Sequence, residues 1–130
     1  MDNLKNVRVL LADDEPSVRK MIRERLVQNG YEVLLAKDGD EALILAFNQN
    51  PGLIILDIMM PKMQGDAVAE KLREDVRTKN TPIVFLTCLI TPQEACERLK
   101  IAGDNVILAK PLDSEELLRV VEKMTMRSSL

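Results

Sequence analysis

The 130-residue sequence contains no histidine, and that absence removes a Ser/His/Asp triad, a Cys/His dyad and a histidine phosphodonor from what the chain can do by itself. Any phosphohistidine chemistry must be supplied by a partner. Cysteine is scarce: Cys88 and Cys96 are the only two. They are too few for a disulfide framework and, without imidazole, have no metal-ligand spacing, so both read as reduced, apolar packing residues. No long hydrophobic run is present, and the N-terminal MDNLKNVRVLLADDE turns acidic after a short apolar stretch that could not serve as a secretory core or a membrane span. A cytoplasmic location with no membrane association is the expectation. A net charge of −3 gives no general attraction to nucleic acid. Lysines and arginines are spread among acidic residues on what look like helix faces, so no direct nucleic-acid contact is expected.

What is there is ordinary for a globular domain: 46% hydrophobic and 30% charged residues. The length suits a single domain spanning 1–130, with 125–130 expected as a frayed tail. Short apolar runs alternate with longer segments of helical period, the pattern of repeated βα units on a parallel sheet. The runs are VRVLLA (Val7 to Ala12), YEVLLA (Tyr31 to Ala36), LIIL (Leu53 to Leu56), PIVFLT (Pro82 to Thr87) and NVIL (Asn105 to Leu108). The third and fourth are apolar throughout, as strands covered on both faces should be.

Between the strands, Val18, Met21, Ile22 and Leu26 recur at helical spacing opposite Arg19, Lys20, Arg23 and Glu24, and Gly30 ends that helix. Similar patterns run over Asp40 to Asn48, Asp66 to Arg73, Pro92 to Ala102 and Ser114 to Met124. Pro16 and Pro92 suit first-turn positions, and Asp113 or Ser114 can cap the last helix. The order is (βα)5, an α/β, doubly wound five-stranded parallel sheet.

Right-handed crossovers put helices on both faces only if the sheet winds outward in both directions from its first strand, and ligands then bind beyond the carboxyl ends of the strands. The residues leaving those ends are Asp13 and Asp14, then Lys37 and Asp38 at the rim, Asp57, Thr87 and Lys110. Three carboxylates this close raise one another's pKa unless a cation intervenes. Oxygen-only ligands select magnesium or manganese, which commonly bridge a carboxylate to a phosphoryl oxygen. Asp57, the one carboxylate outside an adjacent pair, is the candidate nucleophile for phosphorus. Lys110 would neutralise a phosphoryl oxygen, and Thr87, with no base to activate it, would donate a hydrogen bond there. Capping alone would not need both Asp13 and Asp14, and the methionines Met59, Met60 and Met63 read as adaptable packing.

The motifs LLADDEP, LIILDIMMPKMQG, VFLT and AKP, in that order at strand ends, resemble the receiver domains of bacterial two-component response regulators over essentially the whole chain. The resemblance implies a flavodoxin-like sheet of order 2-1-3-4-5 and a phosphoacceptor signalling switch, self-catalysed in phosphorylation and dephosphorylation but otherwise not an enzyme. Asp57 is then the phosphorylation site. Asp14 is the direct metal ligand, Asp13 a ligand through water, and the Met59 carbonyl a further contributor. Thr87 moves toward the phosphoryl group, Lys110 pairs with it, and the peptide before Pro111 is cis. The implied partners are a histidine kinase or histidine phosphotransfer protein, and a downstream effector domain or protein reading the face from Pro92 to Met124. The chain would be a monomer or weak dimer, either free-standing or part of a longer protein.

Two positions depart from the family pattern. Ile107 stands where many receivers carry a ring, so the switch region would comprise Thr87, Leu89 and a side chain with no aromatic rotamer to swing. Leu89 stands where small residues are common. The competing functions fit less well. A haloacid dehalogenase-type phosphatase needs a DxD motif after its first strand, and Asp13-Asp14-Glu15 lacks that spacing. A flavodoxin-like electron carrier needs a hydroxyl- and glycine-rich phosphate loop where ADDEP stands. A phosphorylation-independent pseudo-receiver would not need the complete set of site residues.

Overall fold

Five parallel strands form one sheet, β1 (Arg8–Ala12), β2 (Glu32–Ala36), β3 (Leu53–Asp57), β4 (Ile83–Thr87) and β5 (Val106–Ala109), in the order β2-β1-β3-β4-β5. The structure, a computed structural model, describes residues 7–60, 62–87, 106–110 and 112–129. The expected helix over 92–102, together with Cys88, Leu89, Cys96 and the peptide before Pro111, lies outside these residues.

The observed strands keep the expected apolar runs and shift by a residue at their ends. Pro82 has no N–H for the ladder, so β4 begins at Ile83, although the Pro82 carbonyl still accepts from Ile54 N–H at 3.0 Å. Both β3 and β4 are buried along their whole length, which explains their unbroken apolar character. Alternation along the strands then builds two cores. Leu10, Ile54, Leu56, Ile83 and Phe85 face one way and meet Ala42 and Ala46 of α2 (Gly39–Gln49) and Val68 and Leu72 of α3 (Gly65–Glu74). Val9, Leu11, Ile55, Val84 and Leu86 face the other way and meet Ile22 and Leu26 of α1 (Pro16–Gln28) and Leu117 and Val121 of α4 (Ser114–Ser129).

Local chemistry sets most helix ends. Pro16 occupies the first turn of α1, where its missing N–H is harmless. Gly30, at φ 90°, lets the chain reverse after α1, with Gly30 N–H donating to the Val27 carbonyl and Tyr31 N–H to that of Leu26. Asp38 caps α2 by accepting from Glu41 N–H at 2.9 Å. Of the two candidates for capping α4, Asp113 is the one whose carboxylate takes the Glu115 N–H, at 3.0 Å.

At the far end of α4, the backbone and one side chain can be followed past Met124. The helix continues to Ser129, and Thr125 is buried. Its hydroxyl bonds back to the Val121 carbonyl at 2.8 Å and lies 3.3 Å from the Tyr31 hydroxyl, a tie between residues 94 apart that periodicity could not reveal.

Candidate phosphoryl and metal site

The β1, β3 and β5 strands end on the same edge of the sheet, with β4 between β3 and β5, and the residues at those ends bring Asp13, Asp14, Asp57 and Lys110 together. One carboxylate oxygen from each of Asp13, Asp14 and Asp57 lies within 4.8 Å of the others. Asp13 and Asp57 are buried and Asp14 is exposed. The Lys110 ammonium sits among them, 2.7 Å from Asp13 Oδ2 and 3.2 Å from Asp57 Oδ2. Its backbone N–H donates to the Thr87 carbonyl at 2.7 Å, which locks the end of β5 to the end of β4.

Each carboxylate divides its work. Asp13 Oδ1 accepts the Glu15 N–H at 2.9 Å, the turn chemistry ordinarily expected of an aspartate before a helix. Asp13 Oδ2 is buried and accepts no well-directed hydrogen bond, despite its closeness to the ammonium. A buried carboxylate oxygen of this kind is costly unless a charge serves it. Asp57 Oδ1 accepts the Met59 N–H at 3.1 Å while Oδ2 turns to Lys110. The loop that allows this is tight: a Cβ on Gly65 would lie 2.4 Å from the Asp57 carbonyl oxygen, so only glycine lets α3 start directly behind the acceptor.

Burial, and after it the charge of Asp13, push Asp57 up to about 6, against the opposing pull of Lys110 and the Met59 N–H. Burial works against the Lys110 charge, but Asp13, Glu15 and Asp57 outweigh it and hold the ammonium above the ordinary lysine range. The donor set of oxygens, the buried Asp13 Oδ2 with no directed hydrogen bond and the raised Asp57 fit a hard divalent cation.

Thr87 is buried at the end of β4, which pairs with β3 through Asp57 and Leu86. Ile107 lies in β5 opposite Phe85 and packs half-buried against the core on the α2–α3 side. Met59 is exposed. Two further residues belong to the site that the sequence pattern does not single out. Arg19 reaches back from α1 to the Asp13 carbonyl at 2.7 Å and steadies the β1–α1 turn. Glu15 Oε1 accepts from Lys110 Nζ at 3.0 Å. Its position directly after the Asp-Asp pair is the only hint of this in the sequence.

A family model for the response regulator receiver domain matches residues 9–122. The probable transcriptional regulator ycf27 of Porphyra purpurea is 38% identical over 135 residues, which cover 96% of this chain and 52% of that protein. The chain thus spans about half the length of the curated relatives it matches. Among solved structures, the receiver domain of the Francisella response regulator 1452 superposes with a TM-score of 0.84 at 33% identity, covering 95% of this chain and 99% of that one. The receiver domain of the sensor histidine kinase PA1611 from Pseudomonas aeruginosa PAO1, with a magnesium ion coordinated in its active site cleft, gives 0.81 at 30% identity, covering 92% and 98%.

Proposed function

We propose, since this chain belongs to the family of response regulator receiver domains, that it is a signalling switch whose Asp57 takes a phosphoryl group from a phosphohistidine on a histidine kinase or phosphotransfer protein. The observation that carries this reading is the buried Asp57 carboxylate at the end of β3, grouped with Asp13 and Asp14 and 3.2 Å from the Lys110 ammonium.

One Asp57 carboxylate oxygen attacks phosphorus while the phosphorus–nitrogen bond of the donor breaks, its electron pair returning to an imidazole that takes up a proton. An acyl phosphate on Asp57 results. Asp13, Asp14, Asp57 and the Met59 carbonyl would hold magnesium or manganese, which supplies positive charge against the carboxylates and the phosphoryl oxygens. Lys110 pairs with one of those oxygens and the Thr87 hydroxyl donates to another, so the chain contributes positioning and charge rather than a base. With Ile107 in place of a ring, the motion of Thr87 passes to the segment after it without an aromatic rotamer, and the surface around β5 and α4 changes for a downstream effector.

The test is incubation with acetyl phosphate or phosphoramidate and magnesium, read by intact-protein mass spectrometry. A single phosphoryl addition is expected in the parent, none after chelation and none in Asp57→Asn. Equal labelling of Asp57→Asn, or no labelling of the parent by either donor, refutes the assignment.

A further inference from the structure

Three carboxylates share the one Lys110 ammonium, and they differ in a way that bears on how the site opens to a donor. The side chains of Asp13 and Asp57 are 0% and 3% exposed, whereas that of Glu15 is 53% exposed over a lysine that is itself only 8% exposed. Nothing in the phosphoacceptor chemistry requires Glu15. Its carboxylate is no part of the Asp13–Asp14–Asp57 group, and its side chain does not cap α1, although it stands at the cap position. Its backbone is nonetheless fixed from both sides. Glu15 N–H donates to Asp13 Oδ1, the Arg19 N–H donates to the Glu15 carbonyl at 3.1 Å, and Pro16 comes next in the chain. The side chain therefore leaves a rigid turn and reaches across to the β5 end, 95 residues away in sequence.

Of the three donor hydrogens of the ammonium, two are directed at Glu15 Oε1 and Asp57 Oδ2, while Asp13 Oδ2 holds the charge as an ion pair at 2.7 Å. A phosphoryl group arriving at Asp57 needs one of those donors. Asp13 is buried and would be left as an uncompensated charge if it let go. Glu15 alone can exchange the ammonium for water at little cost, because an exposed ion pair is weak. Its carboxylate, paired or not, adds a fourth negative charge at the mouth through which an anionic donor must pass.

We propose that Glu15 is a positioning residue that gates phosphoryl transfer: it holds Lys110 on the solvent side in the resting state, must release it before the phosphoryl group can be paired, and screens donors by their charge. This rests on Asp57 being the phosphoacceptor. The gate involves no bond making of its own and acts only through Lys110 and through the field at the cleft.

Glu15→Gln and Glu15→Ala, with the parent protein, would be phosphorylated in excess magnesium by acetyl phosphate, a dianion at neutral pH, and by phosphoramidate, which carries one negative charge fewer. Both variants should react with acetyl phosphate faster, on the order of threefold. The gain with phosphoramidate should be smaller, and both gains should shrink at about 1 M salt. A purely structural loosening would move the two donors alike and would ignore salt. Independently of any phosphorylation, brief acetic anhydride labelling of the metal-free proteins, read by peptide mass spectrometry, should modify Lys110 several-fold faster in Glu15→Ala, since its solvent-side cover is gone. Unchanged acetyl phosphate rates in both variants overturn the gate whatever the labelling shows, as does an equal, salt-independent gain with both donors or an unchanged Lys110 labelling rate. If the parent fails to take up phosphate from either donor, it is the phosphoacceptor reading that fails.

Discussion

Replacing Asp57 with asparagine tests the crowding of the site through stability alone. In the metal-free protein Asp57 is almost fully buried, and burial and Asp13 push its carboxyl from 3.8 up to about 6. The unfolded chain therefore loses this proton at lower pH than the folded chain does. Between pH of about 4 and about 6 the folded state holds more protons, so this group's contribution to stability falls as pH rises and stays at its lowest above about 6. The gap between the two values corresponds to roughly 3 kcal/mol as an upper bound. Water reaching the open end of the sheet screens part of it, and the asparagine variant also loses an ion-pair partner for Lys110, so a net stabilisation of about 1 kcal/mol is expected at neutral pH. Asparagine keeps an oxygen for the Met59 N–H, so the loop need not move. Urea unfolding followed by far-UV circular dichroism, in chelator from pH 4 to 8, measures the difference between variant and parent. It should be small near pH 4, grow toward pH 6 and then level off. Magnesium at a hundred times its Kd should add about 2.7 kcal/mol to the parent if the ion binds only the folded state, and so close or reverse the gap. A difference that is flat with pH, or a destabilised variant in chelator at pH 7, would refute the tight carboxylate cluster.

Two further substitutions probe the loop between β3 and α3. Gly65→Ala would drive a methyl into the Asp57 carbonyl, whose 2.4 Å separation from the built Cβ cannot be relieved by moving a flexible side chain, so it should destabilise by roughly 1–3 kcal/mol by chemical denaturation and slow Asp57 labelling as the acceptor shifts. Lys62 sits at φ 67°, a conformation side chains other than Asn, Asp and Gly adopt with strain. Lys62→Asn should therefore raise stability by up to about 1 kcal/mol despite loss of the 3.6 Å pair with Asp38, and an unchanged or lower urea midpoint would show that the pair outweighs the strain.

Periodicity is a local property, and the elements it governs were legible in the chain: five apolar runs became five strands, and α1, α2 and α3 stop within a residue or two of the expected places. Asp13, Asp14, Asp57, Thr87 and Lys110 could be put on one edge because a parallel doubly wound sheet must deliver its strand ends to the same side. Tertiary structure alone decided who pairs with whom there. The hold of Lys110 on Asp13 and Asp57 and the third carboxylate, Glu15, on that ammonium depend on how closely the β1, β3 and β5 ends approach. Likewise the meeting of the Thr125 and Tyr31 hydroxyls joins residues 94 apart in the chain. A spacing rule reaches a few residues along the chain, whereas a lysine Nζ donates to whichever oxygens the packed loops bring within about 3 Å of it.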